Sequence, residues 1–210
     1  MHIIWDFNGT LLYDAQLSVD CDNFVFDTLG LPRITIDDYR THMTMPVRSF
    51  YAALGVDLDA YPYETISRLW LGRFNELAVT AGLTPGILNV VRALHALGHT
   101  QSILSASYEP SLREQCAHLG LTGYMTAVNG LPDESATPKT EIGRRQMQAL
   151  GVAPDEAVLV GDMITDSELA DALGTGCILV PWGHNSCERL MTTGRTIAHT
   201  CEELLRLLEA

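Results

Sequence analysis

The stretch that decides the fold is HIIWDFNGT, residues 2–10. Its first half is an apolar run ending in Ile4 and Trp5, as expected of a strand buried on both faces of a sheet. Asp6 follows this strand directly, and Gly9 lets the chain turn tightly beside it. Ligands of open α/β sheets bind beyond the carboxyl ends of the strands, so Asp6 stands where a site is expected.

The C-terminal two thirds of the chain repeats one pattern, in which a helical stretch ends in Leu-Gly and a short apolar run follows. The pairs are Leu97-Gly98, Leu119-Gly120, Leu150-Gly151 and Leu173-Gly174, and the runs are residues 102–104, 124–128, 157–160 and 177–180. Glycine readily adopts the left-handed conformation that ends a helix. With the opening run, the pattern predicts five strands alternating with helices, hence a parallel sheet with right-handed crossovers.

Two helix boundaries are also marked. Pro85 is predicted to open a helix that runs through Leu97, because proline suits the first helical position. Thr200 and Glu203 have the spacing of a capping box for a last helix over residues 201–208.

Residues 14–82 show helical periodicity without strand signals. The periodic positions are Leu17, Cys21, Phe24, Val25, Ile66, Leu69, Trp70, Phe74 and Leu77, and Pro32, Pro46 and Pro62 separate three or four predicted helices. We therefore predict an α/β fold, with a Rossmann-like, doubly wound parallel sheet formed by residues 1–13 and 83–210. Residues 14–82 are predicted to form an inserted, all-helical cap domain.

The composition is that of a globular chain, with 210 residues of which 47% are hydrophobic and 19% charged. Acidic residues outnumber basic ones by 26 to 13, so we expect no nucleic-acid partner. Neither a membrane-length apolar run nor a signal peptide is visible, so we expect a cytoplasmic protein without a membrane partner. The five cysteines lack zinc-site spacing and are predicted to be reduced, mostly buried thiols.

Polar and charged side chains follow several of the predicted strands. They are Asp6, Ser105, and Asp162 with Asp166 four residues further on, while Lys139 lies between the third and fourth strands. Because the carboxyl ends of parallel strands meet at one edge of the sheet, we expect these carboxylates, the hydroxyl and the lysine to converge there.

Four segments in this order resemble the motifs of the haloacid dehalogenase-like superfamily, in particular its small-cap phosphatases related to phosphoglycolate phosphatase. The matching segments are DFNGT at residues 6–10, Ser105, Lys139, and GDMITD at residues 161–166. The resemblance covers essentially the whole chain, with the helical insertion where small-cap members carry theirs.

The resemblance implies a magnesium-dependent phosphatase. Asp6 would be the nucleophile that becomes an aspartyl-phosphate, and Lys139 would offset the negative charge of Asp6 and of the phosphoryl oxygens. Mg²⁺ prefers oxygen ligands. Its protein ligands would be Asp6, the backbone carbonyl of Asn8, Asp162 and Asp166. The phosphate would be bound by Gly9, Thr10, Ser105, Ala106 and Lys139.

Asn8 departs from the pattern of the phosphatases of this superfamily, which usually have a second aspartate there that protonates the leaving group and later activates water. An amide has no titratable proton near neutral pH, so Asn8 can do neither. General acid–base help is worth about 10²–10⁴-fold in rate. We therefore expect reduced activity that Asn8→Asp would increase, unless another group supplies the proton.

Plainer roles remain open for several residues. Ser107 is an alternative to Ser105 as the phosphate-binding hydroxyl. Arg144 or Arg145 is an alternative to Lys139 as the cation of the site. Asp166 is also placed to cap a helix over residues 167–173. His184 borders the predicted cleft as a structural residue, and the cap cations are expected at the surface unless they bind the far end of a substrate. These cations are His42, Arg48, Arg68 and Arg73.

The expected partner is a small phosphorylated metabolite, and the expected state is a monomer or a homodimer. A phosphoglycolate-like or sugar-phosphate substrate follows from the resemblance alone. Two alternatives stand beside a phosphatase. One is a catalytically silent, phosphate-binding regulatory protein, which Asn8 favours. The other is a metal-independent dehalogenase, which Asp162 and Asp166 argue against.

Overall fold

One parallel sheet organises the computed structural model, which describes residues 1–132 and 138–209. The strands are β1 (His2–Trp5), β2 (Thr100–Tyr108), β3 (Ala127–Leu131), β4 (Ala157–Gly161), β5 (Gly176–Leu179) and β6 (Thr196–Ile197). They lie in the order β3-β2-β1-β4-β5-β6, and every pair is parallel. The strand order reverses at β1, so the carboxyl end of β1 marks the crevice in which such sheets bind ligands.

Helices account for most of the remaining described residues. They are α1 (Ala15–Leu29), α2 (Ile36–His42), α3 (Val47–Ala53), α4 (Tyr63–Leu77), α5 (Ile87–Ala96), α6 (Glu109–His118), α7 (Lys139–Leu150), α8 (Ile164–Leu173), α9 (Cys187–Met191) and α10 (Cys201–Glu209). The first four lie between β1 and α5, and the others alternate with the strands of the sheet.

The side chains of β1 divide the apolar core into two layers because successive residues of a strand face opposite sides of the sheet. Ile3 and Trp5 pack into a cluster with α5 and α10, whereas Ile4 packs into another with α7 and α8. All three side chains are fully buried, and each such burial stabilises the fold by about 1.5–3 kcal/mol. Helices therefore cover both faces of the sheet, and the predicted doubly wound α/β fold is confirmed.

Helices α1 to α4 bury a separate apolar cluster. Its buried members are Val19, Val25, Phe26, Tyr39, Phe50, Tyr51 and Ile66. The segment that leads from the sheet into these helices runs beside the segment that leads back, because Leu12 and Leu83 form an antiparallel bridge. We refer to the helices α1 to α4 as the cap. A cap domain of residues 14–82 on a core of residues 1–13 and 83–210 stays a proposal.

The prediction of five strands was wrong in two places. The sheet has a sixth strand, β6, whose two residues offer no apolar run and which is added only at the edge. The third strand begins at Ala127, because residues 122–124 form a 3₁₀ turn that was predicted to be partly strand.

Two predicted helix starts were also wrong. Helix α5 begins at Ile87 and not at Pro85, because Gly86 has a φ of 88° that an α-helix cannot contain. Helix α8 begins at Ile164, so that Asp166 lies inside its first turn, and its Oδ2 still caps the helix by accepting a hydrogen bond from the Met163 backbone N–H at 3.0 Å. The capping residue of α10 is Thr200, as predicted, and its side chain accepts a hydrogen bond from the Glu203 backbone N–H at 3.1 Å.

Two general predictions concern thiols and membranes. All five cysteines are free, and Cys21, Cys116 and Cys201 are buried. Among the helices that the structure describes, none combines the length and the apolar character needed to cross a lipid bilayer.

Candidate active site

Three carboxylates meet at the carboxyl ends of β1 and β4. Asp6 follows β1, Asp162 follows β4, and Asp166 lies in the first turn of α8. One oxygen atom from each of the three lies within 4.8 Å of the others. The structure thus brings together the three side chains that the sequence placed around one cation.

Lys139 begins α7 and reaches the same cluster. Its Nζ donates hydrogen bonds to Asp6 Oδ1 at 2.6 Å and to Asp166 Oδ1 at 3.0 Å. The alternatives, Arg144 and Arg145, make surface contacts on the exposed side of the helix instead. Lys139 is therefore the cation that the fold places beside Asp6.

The cluster carries more negative charge than one lysine balances. Burial, with repulsion from Asp166 and Asp162, raises the pKa of Asp6 to about 7 although Lys139 opposes this. Burial and the Asp166 charge likewise raise the pKa of Asp162 to about 6. The pKa of Lys139 is raised because attraction to Asp166 and Asp6 outweighs its burial. A divalent cation among these oxygens would favour the ionised carboxylates, and an oxygen-only donor set fits a hard ion such as Mg²⁺.

Asp162 is held rigidly beneath the cluster. Thr10 Oγ1 donates to Asp162 Oδ1 at 2.8 Å, and the backbone N–H of His184 donates to Asp162 Oδ2 at 2.6 Å. Glycines pack against it, because a Cβ added at Gly9 or at Gly183 would overlap Asp162 Oδ2. Such outer contacts orient metal-ligating carboxylates.

Asn8 uses both ends of its amide within the protein. Its Nδ2 donates to Asp14 Oδ2 at 2.7 Å, and its Oδ1 accepts from Ser107 Oγ at 2.7 Å. Asp14 Oδ1 also accepts from the Gly9 backbone N–H at 2.7 Å. The turn that follows Asp6 is therefore fastened to the start of α1 and to the end of β2.

Asp14 and His184 connect this turn to the cap. His184 Nε2 lies 3.4 Å from Asp14 Oδ1, and His184 Nδ1 hydrogen-bonds the hydroxyl of Tyr39 in α2 at 3.0 Å. Burial opposes the charge on the ring, but attraction to Asp14 prevails and raises the pKa of His184 to about 9. The charged ring in turn helps to lower the pKa of Asp14 against its burial. The pair is thus an ion pair that joins core and cap.

A large cavity of about 1390 Å³ opens above Asp6 and extends between the sheet edge and the helices of the cap. Ser105, Ala106 and Ser107 line it from β2, where the pairing of β2 with β3 shifts register after Leu104. Ser105 therefore lies within β2 and not just after it, and its Oγ accepts from the Ser107 backbone N–H at 3.1 Å.

Some predicted residues do not reach the cavity. Gly9 and Thr10 are not in its wall, and the Thr10 side chain is fully buried against Asp162. The four cap cations considered in the sequence, His42, Arg48, Arg68 and Arg73, also lie outside the wall.

Sequence reasoning missed the part played by Asp14 and gave His184 only a structural role. Asp14 is isolated in the sequence, and its one signal is its place just before the first helix of the insertion. His184 follows β5 by a few residues, at another strand end on the same edge of the sheet. Their pairing spans 170 positions and becomes visible only when the cap is folded against the sheet.

Comparison with known proteins identifies the family to which the chain belongs. Residues 3–180 match the family described as "Haloacid dehalogenase-like hydrolase". The chain belongs to this family, and the resemblance predicted from the four motifs is confirmed.

Three known proteins are similar to this chain over most of its length. The chain is 24% identical to the tyrosine-protein kinase PtkA of Mycobacterium tuberculosis, over 98% of this chain and 72% of that protein. It is 25% identical to the phosphoglycolate phosphatase of Chromobacterium violaceum, over 90% of this chain and 88% of that enzyme. The solved structure of the haloacid dehalogenase-like hydrolase SP0104 from Streptococcus pneumoniae superposes with a TM-score of 0.83 at 20% identity, covering 99% of this chain and 97% of that one. At that identity the structural likeness shows the fold alone.

Proposed function

We propose that this protein is a Mg²⁺-dependent phosphatase that hydrolyses a small phosphate monoester by transferring the phosphoryl group to Asp6. The observation that carries the proposal is the convergence of Asp6, Asp162, Asp166 and Lys139, of which all but the buried Asp162 line the cavity. The phosphatases among the relatives support the reaction class.

The reaction has two displacement steps. A carboxylate oxygen of Asp6 attacks phosphorus, the bond from phosphorus to the ester oxygen breaks, and the alcohol leaves after taking up a proton. Water then attacks the phosphorus of the aspartyl-phosphate, which releases inorganic phosphate and restores Asp6. Hydrolysis therefore consumes one ester and one water molecule and leaves the protein unchanged.

Charge is the main obstacle, because a carboxylate must approach a phosphate. Lys139 offsets part of it by holding Asp6 Oδ1 and facing the same space as the incoming phosphoryl oxygens. The residues that would hold Mg²⁺ are Asp6, Asp162 and Asp166, with the backbone carbonyl of Asn8. When bound there, Mg²⁺ supplies positive charge to the phosphoryl oxygens and to the nucleophile.

Asn8 sets the expected substrate reactivity. Its amide carries no transferable proton and is already bonded to Asp14 and Ser107. The leaving oxygen must then take its proton from water, which favours esters of acidic alcohols. We expect faster turnover of aryl phosphates than of alkyl phosphates.

The same residue favours a second candidate, a phosphate-binding regulatory protein without turnover. Such a protein keeps the metal and phosphate contacts of the cluster but lacks the step that Asn8 cannot assist. It would bind Mg²⁺ and inorganic phosphate and would leave even p-nitrophenyl phosphate intact.

The deciding experiment is steady-state hydrolysis of p-nitrophenyl phosphate with Mg²⁺ or with EDTA, by this chain and by Asp6→Ala. We expect turnover that requires Mg²⁺ and is lost in Asp6→Ala, while Asp20→Asn, an exposed charge change in α1, has no effect. Phosphate binding without turnover would establish the silent protein instead. Chloride release from a haloacid without metal would establish the dehalogenase.

A further inference from the structure

The cavity has a second polar centre, in the cap and apart from the carboxylate cluster. Asp22 of α1 lines the cavity although only 1% of the residue is exposed. Its Oδ1 accepts a hydrogen bond from the Tyr51 hydroxyl at 2.7 Å. Its Oδ2 is buried and accepts no well-formed hydrogen bond from the described residues, although the Trp70 indole N–H lies near the carboxyl.

An oxygen left in this state is costly for the folded protein. A buried polar atom without a partner costs about 1–3 kcal/mol, and a buried carboxylate without a cation costs more. Burial raises the pKa of Asp22 to about 7, although the Tyr51 hydroxyl and the nearby indole of Trp70 oppose this. A group of this kind inside a cavity wall is suited to a ligand that brings the missing donor.

The other charges of the cavity wall indicate the sign of that ligand. The acidic members are Asp6, Asp14, Asp22, Glu114, Asp166 and Glu168, and the basic ones are Lys139, His118 and His184. Lys139 is bonded to Asp6 and Asp166, and His184 pairs with Asp14. No arginine lies in the described part of the wall. Among the described residues of the wall, Asp22 is the one ionisable acid or base that α1 to α4 contribute apart from tyrosines, so the cap end offers a carboxyl to a ligand and no cation.

Aromatic rings surround the same end of the cavity. Tyr51 packs against Tyr63 at 6.2 Å between ring centroids, and Trp70 stacks on Phe74 at 4.7 Å. All four rings line the cavity together with Asp22. Aromatic faces attract ammonium groups, and a neighbouring carboxylate adds a directed acceptor for their N–H bonds.

We propose that Asp22 binds an ammonium group of the substrate, so that the preferred substrates are phosphate monoesters of amino alcohols. The phosphate occupies the Asp6 end of the cavity and the ammonium group donates to the Asp22 carboxyl at the cap end. This inference rests on the proposed function, because it assigns the leaving group of the same reaction. It also disfavours a substrate with a carboxylate at its far end, such as phosphoglycolate.

Binding measurements test the inference separately from turnover. The probes are aminoalkyl phosphates with two to five carbons, each compared by calorimetry with the hydroxyalkyl phosphate of the same length and with ethyl phosphate. The protein is the full chain carrying Asp6→Asn, with Mg²⁺ present, so that no ester is consumed. We expect at least one aminoalkyl phosphate to bind about tenfold more tightly than its hydroxyalkyl partner.

The matched variants are Asp22→Asn and Asp20→Asn, both in the Asp6→Asn background. Each removes one carboxylate from α1, but Asp20 is exposed and lies outside the cavity wall. In Asp22→Asn we expect the aminoalkyl phosphate and its hydroxyalkyl partner to bind within about threefold of each other. That difference is smaller than the contribution of one charge-assisted hydrogen bond. Asp20→Asn should retain the full preference.

The outcomes separate this inference from the proposed function. Equal binding of aminoalkyl and hydroxyalkyl phosphates at every length would overturn the ammonium site even if p-nitrophenyl phosphate is hydrolysed. An amine preference that Asp22→Asn leaves intact would also overturn it. If Asp22→Asn fails to fold, the preference of the Asp6→Asn chain for amine over hydroxyl still decides.

Discussion

Asn8 and Asp14 form a matched pair, in which the amide of Asn8 donates to the carboxylate of Asp14 at 2.7 Å. Asp14 is buried and forms an ion pair with His184. Its carboxylate also accepts a hydrogen bond from the Gly9 backbone N–H. An aspartate at position 8 would put a second carboxylate against Asp14, where two negative charges cannot both be stable without a proton between them. The amide at position 8 therefore satisfies the charged Asp14 without needing an added proton.

This pairing gives the substitution Asn8→Asp a specific expected result. Repulsion from Asp14 should keep the new carboxyl protonated near neutral pH, so that it can protonate a leaving group. We expect turnover of an alkyl phosphate to rise, by at most about 10²–10⁴-fold, and turnover of p-nitrophenyl phosphate to rise less. Steady-state kinetics with both esters measures the two gains.

Asn8→Ala is the control for this experiment, because it removes the same hydrogen bonds without adding an acid. It should show no gain with either ester. A fall in both rates for Asn8→Asp, with Mg²⁺ binding intact, would mean that the amide itself takes part in turnover.

Lys139→Met should separate charge compensation from metal binding. The substitution leaves Asp6 and Asp166 without their shared cation, and removing one partner of a buried ion pair costs about 3–5 kcal/mol. We expect kcat to fall by about 10²-fold or more, while Mg²⁺ binds at least as tightly because the cluster becomes more negative. Calorimetry with Mg²⁺ and initial rates provide the two measurements.

Arg144→Met is the matched control for that substitution. Arg144 lies on the exposed side of the same helix and donates to the Ala172 carbonyl oxygen. It should retain the activity of the unaltered chain. Turnover by Lys139→Met within a few fold of that level would remove Lys139 from the proposed machinery.

Gly183→Ala tests how closely the protein packs around Asp162. A Cβ at position 183 would overlap Asp162 Oδ2, so the carboxylate must move from its place beside Asp6 and Asp166. Disturbing such outer contacts typically costs about 10–100-fold in metal affinity, which the Mg²⁺ dependence of the rate would report. Gly123→Ala is the control, since a Cβ at that position meets nothing within 4 Å. Unchanged Mg²⁺ dependence in Gly183→Ala would show that Asp162 is not a ligand.

The sheet and the carboxylate cluster could be predicted from the sequence because both depend on where the apolar runs end. Asp6 and Asp162 each follow a run of apolar residues, and parallel strands bring such positions to one edge wherever they lie in the chain. Lys139 and Asp166 were predictable because they keep a fixed spacing from those strands within the family pattern. The first strand also revealed both layers of the core, through Ile3, Ile4 and Trp5.

The cap side of the site was not predictable in the same way. His184, Asp14 and Tyr39 come from three distant segments, and no periodic pattern relates them. Asp22 reads in the sequence as one polar position of an amphipathic helix, which is usually a solvated one. Its burial depends on how α1 packs against the helices that carry Tyr51 and Trp70. Tertiary packing of this kind leaves little trace in local sequence.

The buried carboxyl of Asp22 should also make stability depend on pH, in a direction opposite to that of a salt-bridged acid. Its pKa is about 7 in the folded protein, against an ordinary value of 3.8, so the folded state keeps a proton that the unfolded chain has lost between those values. Stability therefore falls as pH rises from about 4 to about 7 and levels off above that. Relative to Asp22→Asn, which has no proton to lose, the unaltered chain should lose about 3 kcal/mol of unfolding free energy between about pH 5 and pH 8.

Urea unfolding at the two pH values measures this difference, and Asp20→Asn should follow the unaltered chain because Asp20 is exposed. A constant difference between Asp22→Asn and the unaltered chain at both pH values would show that Asp22 is ionised throughout, with a cation or water already supplying what Oδ2 lacks.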